Sequence, residues 1–415
     1  MQLTEDERAL AGDDMGRAAG IAMRIVAETG ALLGADRLIP IASSHIDGAL
    51  YHGQSGTEFA ERLVAAGAQT AVPATLNVGS LDLIHPDRVR LSGETREMAL
   101  RLMNAYLAMG CKPTWTCAPY QAGHRPASGQ DVAWGESNAV AFCNSVLGAR
   151  TNRYGDFMDI ACALIGKAPH YGLHLPQNRR ARIVVDTARI SDRLKRLDAF
   201  YPVLGSWFGR TVGGDIGAVL GLQGFTDEDD LKAFGAAAAS SGAVGLFHMV
   251  GVTPEAPDLR SILADGPIER IVVELTTLRA ARDALSTASG DQVDVIAVGS
   301  PHFSLEEFAS LELAIAARRF VLPFFVNTSR AVWLRLEKAG RRAALEASGV
   351  TFVLDTCVVT TPILAGNAGV LMTNSGKFAH YAPGNIGYAV HYGSLAECVE
   401  TAVAGRLVRS EESWS

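Results

Sequence analysis

The sequence predicts an α/β protein with mostly parallel sheets. Three observations carry this. First, from about residue 181 short apolar runs recur: Arg182–Asp186, Gly242–Met249, Arg270–Glu274, Val293–Gly299, Phe320–Val326 and Thr351–Leu354. Second, helical stretches such as Leu305–Ala317 and Val332–Glu346 lie between several of them. Strands alternating with helices make a parallel sheet covered on both faces. Third, 415 residues at 48% hydrophobic supply two or three cores, and 42 glycines supply tight turns and close backbone approaches.

The earlier part of the chain reads in order. Thr4 with Glu7 makes a capping box for a helix over 5–34, punctuated by Gly30 and Gly34. Leu38–Ile41 leads into the polar loop Ala42-Ser-Ser-His-Ile-Asp-Gly48. A helix over Thr57–Ala66 precedes a buried strand over Thr70–Pro73 and a loop over Ala74–Ser80. The next helix spans Ser92–Met109 and stops at Gly110. Trp115–Tyr120 is a strand or turn carrying Cys117, and Trp134–Asn138 opens a helix with Ala139, Val140, Cys143, Val146 and Leu147 at helical spacing. A boundary near 180 divides the chain into 1–180 and 181–415.

Composition excludes several function classes. A net charge of −7 argues against a general binder of nucleic acid or anionic membrane, while leaving room for a local cationic pocket. The acidic start, Met1 to Arg8, is unlike a secretory signal, and no apolar run reaches the ~18–20 residues of a membrane span. Six cysteines without regular spacing point to a reducing cytoplasm, with thiols as core filler or metal ligands. Gly213-Gly-Asp-Ile-Gly217 is neither a dinucleotide fingerprint nor a Walker loop, and no hydrolase elbow or CxxC occurs.

In open α/β sheets ligands bind outside the carboxyl ends of strands, so polar loops after apolar runs are the places to look. Cys117 and Cys357 sit in such loops, flanked by hydroxyls and off any periodic element; a thiolate there is a plausible iron or zinc ligand. Cys143, Cys162 and Cys398 read as buried filler, and Cys111 is ambiguous. His45 and His302 are candidate acid–base groups or orienters. Lys377, with Asn374 and Ser375 as neutral donors, is a candidate clamp for a carboxylate or phosphate, as are Arg150 and Arg153. Residue chemistry alone stops at an α/β enzyme with a possible thiolate metal site.

At these same loops the sequence resembles the aconitase X large subunit. The matching strings are Ser44-His-Ile-Asp-Gly48, Leu50-Tyr-His-Gly53, Val72-Pro-Ala-Thr-Leu-Asn-Val-Gly79, Thr116-Cys-Ala-Pro-Tyr120 and Glu136-Ser-Asn-Ala-Val140. They continue through Asn144-Ser-Val-Leu-Gly-Ala-Arg-Thr-Asn-Arg153, Gly299-Ser-Pro-His302, Asp355-Thr-Cys357 and Asn374-Ser-Gly-Lys-Phe-Ala-His-Tyr-Ala-Pro-Gly384. The strings span most of the chain in order.

The resemblance implies aconitase-like α/β domains around an iron–sulfur cluster (2Fe–2S or larger) or a single iron. It also implies a small swivelling domain, here expected as a separate subunit, that completes the site and brings the base. The activity it implies is dehydration, either of cis-3-hydroxy-L-proline to Δ1-pyrroline-2-carboxylate or of mevalonate 5-phosphate; a non-catalytic binding subunit is a third reading. His45, His302 and Lys377 become catalytic candidates. Ser44, Thr75, Asn77, Glu136, Ser137, Asn152, Arg153, Asn374 and Ser375 become substrate-binding candidates. Cys117 and Cys357 match two thiolate ligands. The third position, a cysteine in the mevalonate-phosphate branch, is Ser300 here, which leaves Ser300 itself, another cysteine such as Cys111, or nothing as the third ligand. A serine oxygen is a poorer iron ligand than a thiolate, and this departure favours the hydroxyproline branch.

Overall fold

A computed structural model describes residues 1–12 and 16–414. The N-terminal part holds β1 (Leu38–Pro40), β2 (Ser44–Ile46), β3 (Ala74–Leu76), β4 (Ala133–Trp134) and β5 (Lys167–Pro169). β1 and β5 pair antiparallel, while β3-β2-β4 form a small parallel sheet. Beyond residue 180, β6 (Ile183–Asp186), β7 (Gly217–Leu220), β8 (Phe247–Met249) and β9 (Glu269–Val272) form a parallel sheet in the order β8-β7-β6-β9. The last is parallel too: β10 (Val295–Phe303), β11 (Phe324–Thr328), β12 (Val350–Val353), β13 (Gly369–Thr373) and β14 (Tyr388–Tyr392), ordered β12-β11-β10-β13-β14. β10 is central and buried along all nine residues, as a strand covered on both faces must be.

The class expected from the sequence is the class observed; element bounds differ in places. The capping box at Thr4 is present, but the first helix stops at Ala11 and a second runs over Ala18–Leu32. Residues 13–15, inside the expected helix over 5–34, lie outside the described residues. The strand expected at Thr70–Pro73 is displaced to β3, where Ala74–Leu76 pair with Ser44–Ile46. The helix expected over Val332–Glu346 is two, Arg330–Lys338 and Arg342–Ser348, parted at left-handed Gly340.

Two helices without a marked sequence signal, Phe200–Val212 and Glu228–Ser241, make a close pair. A Cβ on Gly205 would lie 2.3 Å from the Phe234 carbonyl oxygen, and one on Gly209 2.4 Å from that of Ala238. These glycines let the backbones touch. Gly205→Val is expected to cost about 2–3 kcal/mol of stability through overpacking, read as a lowered thermal midpoint.

The N-terminal part and the last sheet are stitched together. The Gly79 N–H donates to the Asp355 carbonyl at 2.7 Å, and the Leu83 N–H to its carboxylate at 3.2 Å. Buried Asp82 accepts in return from the Leu354 N–H at 3.2 Å. Arg330 grips Asp355 with two bonds of 2.5 Å, fixing the turn that leads to Cys357. No helix among the described residues is long and apolar enough to cross a membrane.

Candidate active site

The segments after β2, β3, β4, β12 and β13, with Ser300 inside β10, converge on a cavity of about 320 Å³. Its wall includes Asp47, His52, Asn77, Cys117, Glu136, Ser137, Arg153, Ser300, Cys357, Lys377, Tyr381 and Asn385. Five parallel-sheet strand ends thus deliver polar groups to one place, outside the carboxyl ends of the strands as expected.

Lys377 enters at the N-terminus of helix Gly376–Ile386, where Ser375 caps the first turn by accepting from the Phe378 N–H. Its Nζ donates to Glu136 Oε1 at 2.6 Å and to Asn138 Oδ1 at 2.7 Å. Burial works against the ammonium charge, but Glu136 and Cys117 hold the lysine above its ordinary range. Glu136 in turn caps helix Ser137–Ser145 by accepting from the Ala139 N–H at 2.7 Å. Arg153 stands exposed at the rim with no ion-pair partner among the described residues.

Asp47 follows β2 and accepts a hydrogen bond from Asn77 Nδ2. Burial, then the nearby charges of Glu136 and Asp156, push its carboxyl up to about 7. Both Asp47 and Asn77 line the cavity, and Asn77 holds the Asp47 carboxyl there.

Cys117, Cys357 and Ser300 share one wall, and all six cysteines are free thiols. Burial pushes the Cys117 thiol up to about 12, opposed by Lys377. Cys357 is also raised by burial, opposed by the Val359 N–H, Lys377 and the Ser300 side chain. Among the described residues no three His, Cys, Asp or Glu side chains group as a metal site, and the oxygen beside the Cys357 sulfur is the Ser300 hydroxyl. Two thiols and a hydroxyl facing a cavity fit iron or a small iron–sulfur group, since thiolates are its preferred ligands.

Among the sequence candidates, Asn77, Glu136, Ser137, Arg153, Lys377, Cys117, Cys357 and Ser300 come together. The others are placed behind the wall. His45 is fully buried; its Nδ1 bonds Thr75 Oγ1 at 2.8 Å, and Thr75 bonds His124 Nδ1 at 2.7 Å. Burial holds His45 well below the usual histidine range and His124 at about 4, so both are neutral orienters at pH 7. His302 is buried beneath the thiols and pushed by burial to about 3. Ser44 donates to the Ala133 carbonyl at 2.5 Å, and Asn152 to that of Tyr171 at 3.1 Å; both hold backbone. Asn374 and Ser375 line a different, smaller cavity of about 150 Å³ that also touches Ser300, and the Ser375 hydroxyl donates to the Ser300 carbonyl.

Asp47, His52, Tyr381 and Asn385 were not singled out from the sequence, although the first sits in the string Ser44–Gly48 and the last two follow Lys377 by one and two helical turns. That spacing was the available signal.

Parallel strand ends that bring a paired lysine, a carboxyl and two sulfur donors to one cavity are the arrangement of an α/β enzyme. Comparison with known proteins sharpens the class. Models of the aconitase X first, second and third domains match residues 1–177, 181–283 and 293–404. The chain belongs to the aconitase X family. It is 45% identical over 415 residues to a cis-3-hydroxy-L-proline dehydratase of Pseudomonas aeruginosa, covering 99% of this chain and 71% of that one. It is 36% identical to the phosphomevalonate dehydratase large subunit of Thermococcus kodakarensis, covering 97% of this chain and all of that one. The crystal structure of the holo-form aconitase X of Thermococcus kodakaraensis superposes with a TM-score of 0.87 at 34% identity, over 97% of this chain and 100% of that one.

Proposed function

We propose that this chain is the large part of an iron–sulfur-dependent hydro-lyase that dehydrates cis-3-hydroxy-L-proline to Δ1-pyrroline-2-carboxylate in the cytoplasm. One observation carries the substrate choice: the cavity's charges balance. Its lining carries two cations, Arg153 and Lys377, and two carboxyls, Asp47 and Glu136, with Lys377 and Glu136 already paired, around a space of about 320 Å³. A zwitterionic amino acid matches that set, its carboxylate toward Arg153 and Lys377 and its ammonium toward Asp47. A phosphate-bearing acid brings a larger negative charge and no cation for Asp47. The identity to the Pseudomonas aeruginosa dehydratase supports the same substrate.

Cys117, Cys357 and Ser300 would hold the iron group, which when bound supplies a Lewis acid to the leaving hydroxyl oxygen. The chain's own residues do the rest. Lys377 and Arg153 fix the carboxylate, which orients the neighbouring carbon for proton loss. The base is assigned to a small complementary domain. That domain is either a separate subunit or the additional length that the Pseudomonas aeruginosa relative carries in one chain. We divide this chain near residue 180, so that Cys117 comes from the first unit and Ser300, Cys357 and Lys377 from the second.

The test is turnover. The chain is co-expressed with its complementary domain, purified without oxygen and offered cis-3-hydroxy-L-proline, the trans isomers and mevalonate 5-phosphate. Loss of the cis-3 isomer alone supports the proposal; turnover of the phosphate compound alone overturns it. A pH series tests the ammonium contact. With Asp47 titrating near 7, kcat/KM rises as pH increases through that value, because only the ionised carboxylate pairs with the ammonium. Asp47→Asn is expected to flatten that limb and raise KM about 30-fold, the worth of ~2 kcal/mol for a charge-assisted bond.

A further inference from the structure

His302 is outside the cavity, yet it touches everything that carries the sulfurs. Its Nε2 lies 3.2 Å from the Thr356 carbonyl oxygen. A carbonyl only accepts, so Nε2 bears the proton, and the bare Nδ1 accepts from the Thr116 hydroxyl at 3.0 Å. Thr116 directly precedes Cys117, and Thr356 directly precedes Cys357. The His302 backbone N–H faces Cys117 Sγ at 3.4 Å. Its carbonyl accepts from buried Lys232 at 3.3 Å, whose ammonium is also held by Asp229 at 2.8 Å. His302 itself lies two residues after Ser300 on β10.

We propose that His302 is a positioning residue: its imidazole, bridging Thr116 and Thr356, sets the spacing of Cys117, Cys357 and Ser300. This rests on the reading of that trio as the iron ligands. The trio comes from two loops and strand β10, with no covalent tie between them. A single imidazole bonded to both loops, and rooted in the strand, removes their relative freedom. The N–H pointing at Cys117 adds a hydrogen bond to that sulfur, one of the levers that set the potential of a thiolate-bound iron centre. An acid–base role is a poor fit, because both ring nitrogens are occupied by protein partners.

The test compares wild type with His302→Leu, which deletes both ring bonds, His302→Gln, which retains one donor, and Thr116→Val, which spares the imidazole but removes one partner. Iron per chain, the visible absorption spectrum and the rate of iron extraction by a chelator are measured without oxygen, beside thermal unfolding. His302→Leu is expected to lose iron about 10–100-fold faster with shifted sulfur-to-iron bands, as for other groups that orient ligands. His302→Gln and Thr116→Val are expected between it and wild type. If His302→Leu does not fold, Thr116→Val decides alone. Folded variants with wild-type spectrum and extraction rate, even at a lowered thermal midpoint, overturn the positioning role. Wild-type protein that holds no iron overturns the ligand reading, and this role with it.

Discussion

Anaerobically purified Cys357→Ala protein is expected to hold at least about tenfold less iron than wild type and to turn over no substrate, while its fold persists. The geometry makes the loss specific. Cys357 is reached through a turn anchored twice, by Arg330 on the Asp355 carboxylate and by the Gly79 N–H on its carbonyl. Trimming one sulfur leaves those anchors whole, so the loop keeps its course. What disappears is one of two thiolates, and the Ser300 oxygen cannot replace it. Cys117→Ala behaves the same way. Cys143→Ala, on the buried stripe of helix Ser137–Ser145, is expected to keep its iron. Iron and sulfide per chain, with circular dichroism for the fold, check all three; normal iron in Cys357→Ala sinks the ligand assignment.

Lys377→Met is expected to lower kcat/KM by about 100–1,000-fold and to destabilise the chain by about 3–5 kcal/mol. The first effect is the loss of a cation to the substrate carboxylate. The second arises because Glu136 and Asn138 lose their shared donor in a buried place, and an unpaired buried carboxylate is costly. The two effects separate in the double variant Lys377→Met with Glu136→Gln. Removing the orphaned charge restores much of the stability and none of the activity. A double variant that regained turnover would show that Lys377 serves only to neutralise Glu136. The thermal midpoint and steady-state kinetics of the three proteins give the answer.

The residues that were legible in the sequence share a property: they break a period. Cys117 and Cys357 lie on no helical or strand stripe, so packing alone did not explain them, and both reach the cavity. Lys377 was legible for the same reason, as a cation just past an apolar strand. His45 and His302 read as loop residues by the same criterion, but they fall inside β2 and β10 and are buried away from the cavity. A polar residue after a strand points either into the site or into the layer that supports it, and one sequence does not distinguish the two. Asp47 is not marked by the sequence because a lone aspartate in a loop ordinarily solvates a turn; its raised proton affinity comes from burial and then from Glu136 and Asp156, distant in sequence. The alternating region beyond 180 is readable because its strands, the exposed edge strand β9 apart, are largely buried on both faces and form continuous apolar runs. β3 was misplaced by a few residues because its three positions carry too few side chains for a period.

Cys117 belongs to the part of the chain that holds the small β3-β2-β4 sheet, whereas Ser300 and Cys357 belong to the five-stranded one. A ligand grasped by all three is therefore a rivet through a seam. Its binding energy is drawn from the docked arrangement and is forfeited whenever the two parts separate. Losing such a rivet would do more than empty a site: the hydrogen bonds of Gly79, Asp82, Leu83 and Asp355 would be left to hold the seam by themselves.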